Sequence, residues 1–64
     1  MARYHLYFFE NNVLLGDDRI EAADDAAAVR LARAQGKGRV IEIWNAQARI
    51  RVLAPAGARQ PAQG

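Results

Sequence analysis

The chain has 64 residues, enough for one domain with a single thin core. Of its 33 apolar residues 14 are alanine, and the net charge is a modest +2. It holds no Cys, Ser or Thr, one His and one Lys, which excludes disulfides, thiolate metal sites, hydroxyl or thiol nucleophiles and two-histidine metal motifs.

Charge is distributed unevenly. Residues 1–25 carry six carboxylates against Arg3 and Arg19, whereas residues 26–64 carry seven cations against Glu42 alone. Two readings follow: the halves neutralise each other in the fold, or the second half meets an anionic partner. No segment approaches the ~20 apolar residues of a membrane span. The apolar run Tyr4 to Phe9 is broken by His5 and stopped by Glu10, too short and polar for a signal peptide. A cytoplasmic protein without membrane contact is expected.

Arg3 to Glu10 reads as an aromatic-rich strand with Tyr4, Leu6 and Phe8 alternating against His5, Tyr7 and Phe9. Asn11-Asn12 tolerates the left-handed backbone of a two-residue hairpin turn. The returning strand Val13 to Leu15 then places Val13 opposite Glu10, Leu14 opposite Phe9 and Leu15 opposite Phe8. Gly16-Asp17-Asp18 is expected to interrupt it, as a bulge or turn, before Ile20 to Ala22 resumes an extended path.

Asp24 is the expected helix N-cap, and Asp25 adds negative charge where the helix dipole favours it. The run from Asp25 to Gln35 contains no breaker. Its predicted inner face is Ala27, Ala28, Leu31, Ala34 and Gln35, with Arg30 and Arg33 outward. Gly36 and Gly38 end it, glycine being the usual left-handed residue there. Arg39 to Trp44 and Arg49 to Leu53 form a second hairpin across Asn45-Ala46-Gln47-Ala48. Setting Trp44 opposite Arg49 pairs Ile43 with Ile50, Ile41 with Val52 and Glu42 with Arg51, giving one wholly aliphatic face. Trp44 with Arg49 is then a cation–π pair.

The order β-β-α-β-β predicts an α+β fold: a two-layer sandwich of a four-stranded antiparallel sheet with one helix on one face. The first and third strands lie in the centre. The domain spans residues 1–53, and residues 54–64, with nothing apolar beyond alanine and proline, read as a disordered tail. The expected core is Leu6, Phe8, Leu15, Leu31, Ile41, Ile43, Ile50 and Val52.

Candidate chemistry is sparse. The acidic residues Asp17, Asp18, Glu21, Asp24 and Asp25 lack the spacing of a calcium loop and read as turn and capping groups. Gly36-Lys37-Gly38 has neither the leading glycine nor the hydroxyl of a phosphate loop, and stands at the wrong end of a helix. His5 has no evident nucleophile or second catalytic group to serve. The reading is therefore of a non-enzyme with no cofactor and no metal.

The open sheet face stands above this background. With Leu6 and Phe8 against the helix, Tyr7, Phe9, Trp44, Arg49 and Arg51 turn away from it, with His5 among them. Such residues dominate protein interfaces, so a protein-interaction module, homo-oligomeric or bound to a protein partner, is the leading reading. The second is single-stranded nucleic acid, whose bases stack on aromatics while arginines hold phosphates. The third is plain surface, shielded by large side chains and arginine stems.

Tyr4-His5-Leu6-Tyr7-Phe8-Phe9, the run Glu21-Ala22-Ala23-Asp24-Asp25-Ala26-Ala27-Ala28 and Glu42-Ile43-Trp44 resemble a set of short bacterial β-β-α-β-β proteins. Those proteins share a tyrosine-rich first strand, an acidic helix start and a strand ending in Glu-Leu-Trp. The resemblance covers residues 3–53 and implies a fold but no activity. The acidic turn before a single helix is also similar to small β-sheet antitoxins, whose longer third strand and DNA-binding tail this chain lacks.

Overall fold

The computed structural model describes residues 1–36 and 38–55. Four strands and one helix follow in the order β1 (Ala2–Glu10), β2 (Val13–Ala22), α1 (Asp25–Gln35), β3 (Val40–Trp44) and β4 (Arg49–Leu53). The strands form one antiparallel sheet in the spatial order β2-β1-β3-β4. This is the α+β architecture read from the sequence, with β1 and β3 central. The tail expectation for residues 56–64 lies outside the described residues.

The first hairpin turns on Asn11 and Asn12, both in the left-handed region at φ 54° and 65°. That pair of conformations matches the right-handed twist of the flanking strands. Glu10 pairs with Val13 and Phe9 with Leu14, but Phe8 pairs with Gly16. The bulge therefore falls at Leu15, and β2 runs unbroken through Gly16, Asp17 and Asp18 to Ala22. The expected interruption is absent, because one extra residue absorbs the irregularity and the ladder resumes at once. Leu15, expected in the core, is exposed.

Asp24 caps α1 from an extended backbone, its Oδ1 accepting the Ala27 amide at 2.9 Å. The helix buries Ala28 and Ala32 completely, and Gly36 continues the same stripe one turn later. This face is rotated from the expected one, and Leu31 stays 45% exposed. The rotation puts the smallest side chains against the sheet, so the two layers approach more closely than a leucine would permit. Gly36 is itself right-handed, at φ −63°. A Cβ there would stand 3.3 Å from Ile41 Cδ1, so glycine serves space at that position. The left-handed residue is Gly38, at φ 84°.

The second hairpin also corrects its predicted register. Trp44 pairs with Arg49 as expected, but Ile43 pairs with Arg51, Glu42 with Val52 and Ile41 with Leu53. Ile50 is the extra residue of a bulge between Ile43 and Trp44. Every partner after it is displaced by one, which exchanges the faces of β4. Leu53 thus enters the core at 7% exposure, while Val52 leaves it at 47%. Asn45 closes the loop, its Oδ1 accepting the amides of Gln47 and Ala48 at 2.8 Å each.

The core consists of Tyr4, Leu6, Ala22, Ala28, Ala32, Ile41, Ile43 and Leu53, with Phe8, Ile20, Ala27, Val29 and Ile50 packed against it. Among the described residues, Leu6, Ile41 and Ile43 are the large side chains sealed from water. Each contributes on the order of 1.5–3 kcal/mol by burial. Tyr4, read only as a strand residue from the sequence, belongs here because its hydroxyl finds Asp25 at 2.7 Å.

Candidate functional site: the uncovered sheet face

With a single helix on one side, the other side of the sheet is set by strand parity. Reading across β2, β1, β3 and β4, the register aligns Arg19, His5, Trp44 and Arg49 in one row. The next row is Asp17, Tyr7, Glu42 and Val52, and the third is Leu14, Phe9 and Val40. Arg3 and Glu21 face each other at the end of β1 and β2, joined at 3.6 Å.

Four of the five residues singled out from the sequence, Tyr7, Phe9, Trp44 and Arg49, share this face. Arg51 does not. As the partner of Ile43 it lies on the helix side, carried there by the bulge at Ile50. The expected Glu42–Arg51 ion pair is accordingly replaced by Glu42–Arg49, with Arg49 Nη1 donating to Oε2 at 3.3 Å. Glu42 also accepts the Trp44 indole N–H on Oε1 at 3.1 Å, so one carboxylate orients both neighbours. The side-chain partner of Arg49 is therefore Glu42, in place of the expected cation–π contact with the indole ring.

The aromatics form one connected group. The His5 and Tyr7 rings stack with centroids 4.4 Å apart and planes 12° from parallel. Tyr7 meets Trp44 edge-on at 6.5 Å and 87°, the favourable arrangement for two ring quadrupoles. His5 Nε2 donates to Asp17 Oδ2 at 2.6 Å. The Tyr7 hydroxyl lies 3.5 Å from His5 Nδ1. A shallow depression of about 310 Å³ beside the group is bounded by His5, Arg19, Trp44 and Asn45.

The face is electrically balanced. Arg3, Arg19 and Arg49 stand among Asp17, Glu21 and Glu42, and the pairs Arg3–Glu21, His5–Asp17 and Arg49–Glu42 are made within it. Sequence reasoning missed the part played by Asp17, because it placed that residue in a turn. The available signal was the even parity between Asp17 and Glu21, which an unbroken strand would have put on one face.

The acidic stretch is otherwise absorbed by local structure. Asp18 accepts the Arg19 amide at 2.9 Å, Asp24 caps the helix and Asp25 holds Tyr4. Among the described residues no three His, Cys, Asp or Glu side chains converge as metal ligands. Nor, among them, is any helix long and apolar enough to cross a membrane. No protein-family model, curated protein or solved structure matches the chain.

Proposed function

We propose that this protein is a non-catalytic interaction module that pairs with a second copy of itself through the uncovered sheet face. One observation carries the reading: the His5–Tyr7–Trp44 cluster continues into the apolar row Leu14, Phe9 and Val40 on a face that, among the described residues, no helix covers. Tyr and Trp in such a setting supply large contact area at small entropic cost and dominate interface energetics. A two-fold contact requires a patch complementary to itself. Equal numbers of interleaved arginines and carboxylates support this reading, since the face carries no net charge with which to repel its own copy.

The same balance disfavours the nucleic-acid reading. A phosphate backbone needs cations in excess, and here Asp17, Glu21 and Glu42 stand among the arginines that would make those contacts. Arg51, which would have added a further cation, is on the other side of the sheet.

Sedimentation equilibrium from low to high micromolar concentration tests the proposal. The expected result is a reversible dimer that Trp44→Ala weakens by about thirtyfold or more, the loss of about 2 kcal/mol that marks a hot spot. A strictly monomeric wild type at high micromolar concentration overturns it. Salt-dependent binding of single-stranded oligonucleotides by that monomer would put the second reading in its place.

A further inference from the structure

A second surface lies on the helix side and is independent of the sheet-face proposal. Between α1 and β4 runs a groove of about 470 Å³, with half-buried Val29 and Ile50 in its floor and exposed Arg30 and Arg51 on its walls. The bulge in the second hairpin builds it. Ile50, left without a partner on β3, packs toward the core, and Arg51 follows it onto the helix side. Arg30 comes from the helix, one residue after Val29, and Arg33 continues the cationic side about one turn later. Among the described residues Asp25 is the one carboxylate in the lining, and its Oδ1 already accepts the Tyr4 hydroxyl.

The groove runs beside a sheet edge. β4 is the outermost strand, and among the described residues nothing pairs with its outer side. An edge strand presents a row of unpaired N–H and C=O groups, ready to take another strand. Three features thus converge in one place: a backbone edge, an apolar floor and permanently charged guanidinium groups.

We propose that this groove receives an extended acidic segment of a partner protein, added to the edge of β4 as a fifth strand. Its backbone completes the β4 ladder, its carboxylates meet Arg30 and Arg51, and an apolar side chain between them covers Val29 and Ile50. Successive side chains of a strand alternate between faces, so residues i, i+2 and i+4 face the groove together, and an acidic residue, an apolar one and a second acidic one at those positions present both chemistries there. A small anion would engage the arginines but leave the floor and the edge unmet. Nucleic acid would likewise bring charge without strand hydrogen bonds.

Fluorescence anisotropy on the full chain, with a labelled dodecapeptide that repeats Glu-Ser-Val-Ser and so sets Glu and Val in turn along one face, tests this. Saturable binding is expected, weakened at least tenfold by Arg30→Glu with Arg51→Glu. Arg30→Gln with Arg51→Gln, which removes charge without reversing it, should also weaken binding, and circular dichroism verifies that both variants fold. A peptide N-methylated at every residue keeps its charge but cannot complete the ladder from either edge, and it should not bind. Trp44→Ala should leave peptide binding unchanged, which separates failure here from failure of the sheet-face reading. Absence of saturable binding, equal binding of the N-methylated peptide, or tighter binding of a single-stranded oligonucleotide at the same arginines overturns the proposal.

Discussion

The Tyr4 hydroxyl on β1 donates to Asp25 Oδ1 in the first turn of α1 at 2.7 Å, bridging the sheet and the helix across 21 residues of sequence. The carboxylate that accepts its proton, reinforced by burial and by the charges of Asp25 and Asp24, pushes the Tyr4 pKa up to about 12. A pKa raised above the ordinary value of 10.0 means that the native state holds the proton more tightly than the unfolded chain does. The resulting stabilisation is complete below pH 10 and is lost as pH rises through about 12. Denaturation midpoints measured across that window should fall in the wild type more steeply than in Tyr4→Phe. Parallel curves would show that the hydrogen bond does not couple protonation to folding.

The bulge at Ile50 makes a second, opposed pair of expectations. Leu53 is buried opposite Ile41, whereas Val52 is half exposed opposite Glu42. Leu53→Ala should therefore cost about 2–4 kcal/mol in urea unfolding, and Val52→Ala less than about 1. An unbulged hairpin would reverse that order, so the comparison tests the register directly.

These two bulges mark where the sequence ceased to be readable. Element order, the Asn11-Asn12 turn, the Asp24 cap and the central placement of β1 and β3 all followed from local chemistry and parity. Trp44 opposite Arg49 and Glu10 opposite Val13 were legible too, because turns fix the first pair of a hairpin. Beyond that first pair, an extra residue has no distinctive composition. Leu15 and Ile50 are ordinary strand residues, and the aliphatic match of Ile43 with Ile50 was a false regularity. The helix phase misled for a related reason. Leu31 looked like the anchor of the inner face, yet close packing against the sheet selected Ala28, Ala32 and Gly36 instead. On the sheet face the shared side of Tyr7, Phe9 and Trp44 followed from strand parity, but the side on which Arg51 falls depended on the bulge.

Gly38 gives a backbone prediction free of packing effects. Its φ of 84° lies in the left-handed region, and nothing stands within 4 Å of where a Cβ would be. Gly38→Ala should thus cost about 1–2 kcal/mol through conformational strain alone. Gly38→Asn, whose side chain tolerates that region better, should cost less. Equal losses for the two variants would point away from the dihedral as the cause.

The small-residue stripe predicts an asymmetry along α1. Ala32 is completely buried against the sheet, so Ala32→Leu should destabilise by about 1–3 kcal/mol through overpacking. Leu31→Ala, one position away, removes a much larger side chain yet should cost less than about 1 kcal/mol, because that side chain is half in water. If Leu31→Ala proves the more damaging of the two, α1 packs through the face expected from its sequence.

Glu42 links fold to proposed function most directly, since it holds the Trp44 indole N–H at 3.1 Å and the Arg49 guanidinium at 3.3 Å. A partly exposed ion pair contributes only about 0.2–1 kcal/mol to folding, so Glu42→Ala should leave thermal stability nearly unchanged. Its effect should appear in self-association. Without the shared acceptor the indole loses its fixed orientation, and ordering it again on contact costs binding free energy. Glu42→Ala should weaken the proposed dimer by a few-fold, roughly the rotamer cost of one ordered side chain. Glu42→Gln keeps an oxygen for the indole but gives up the charge on Arg49, and it should retain most of the association. Sedimentation equilibrium on the three proteins reads the difference. If the Gln and Ala variants weaken equally, the carboxylate acts through its charge, and orientation of Trp44 is not what it contributes.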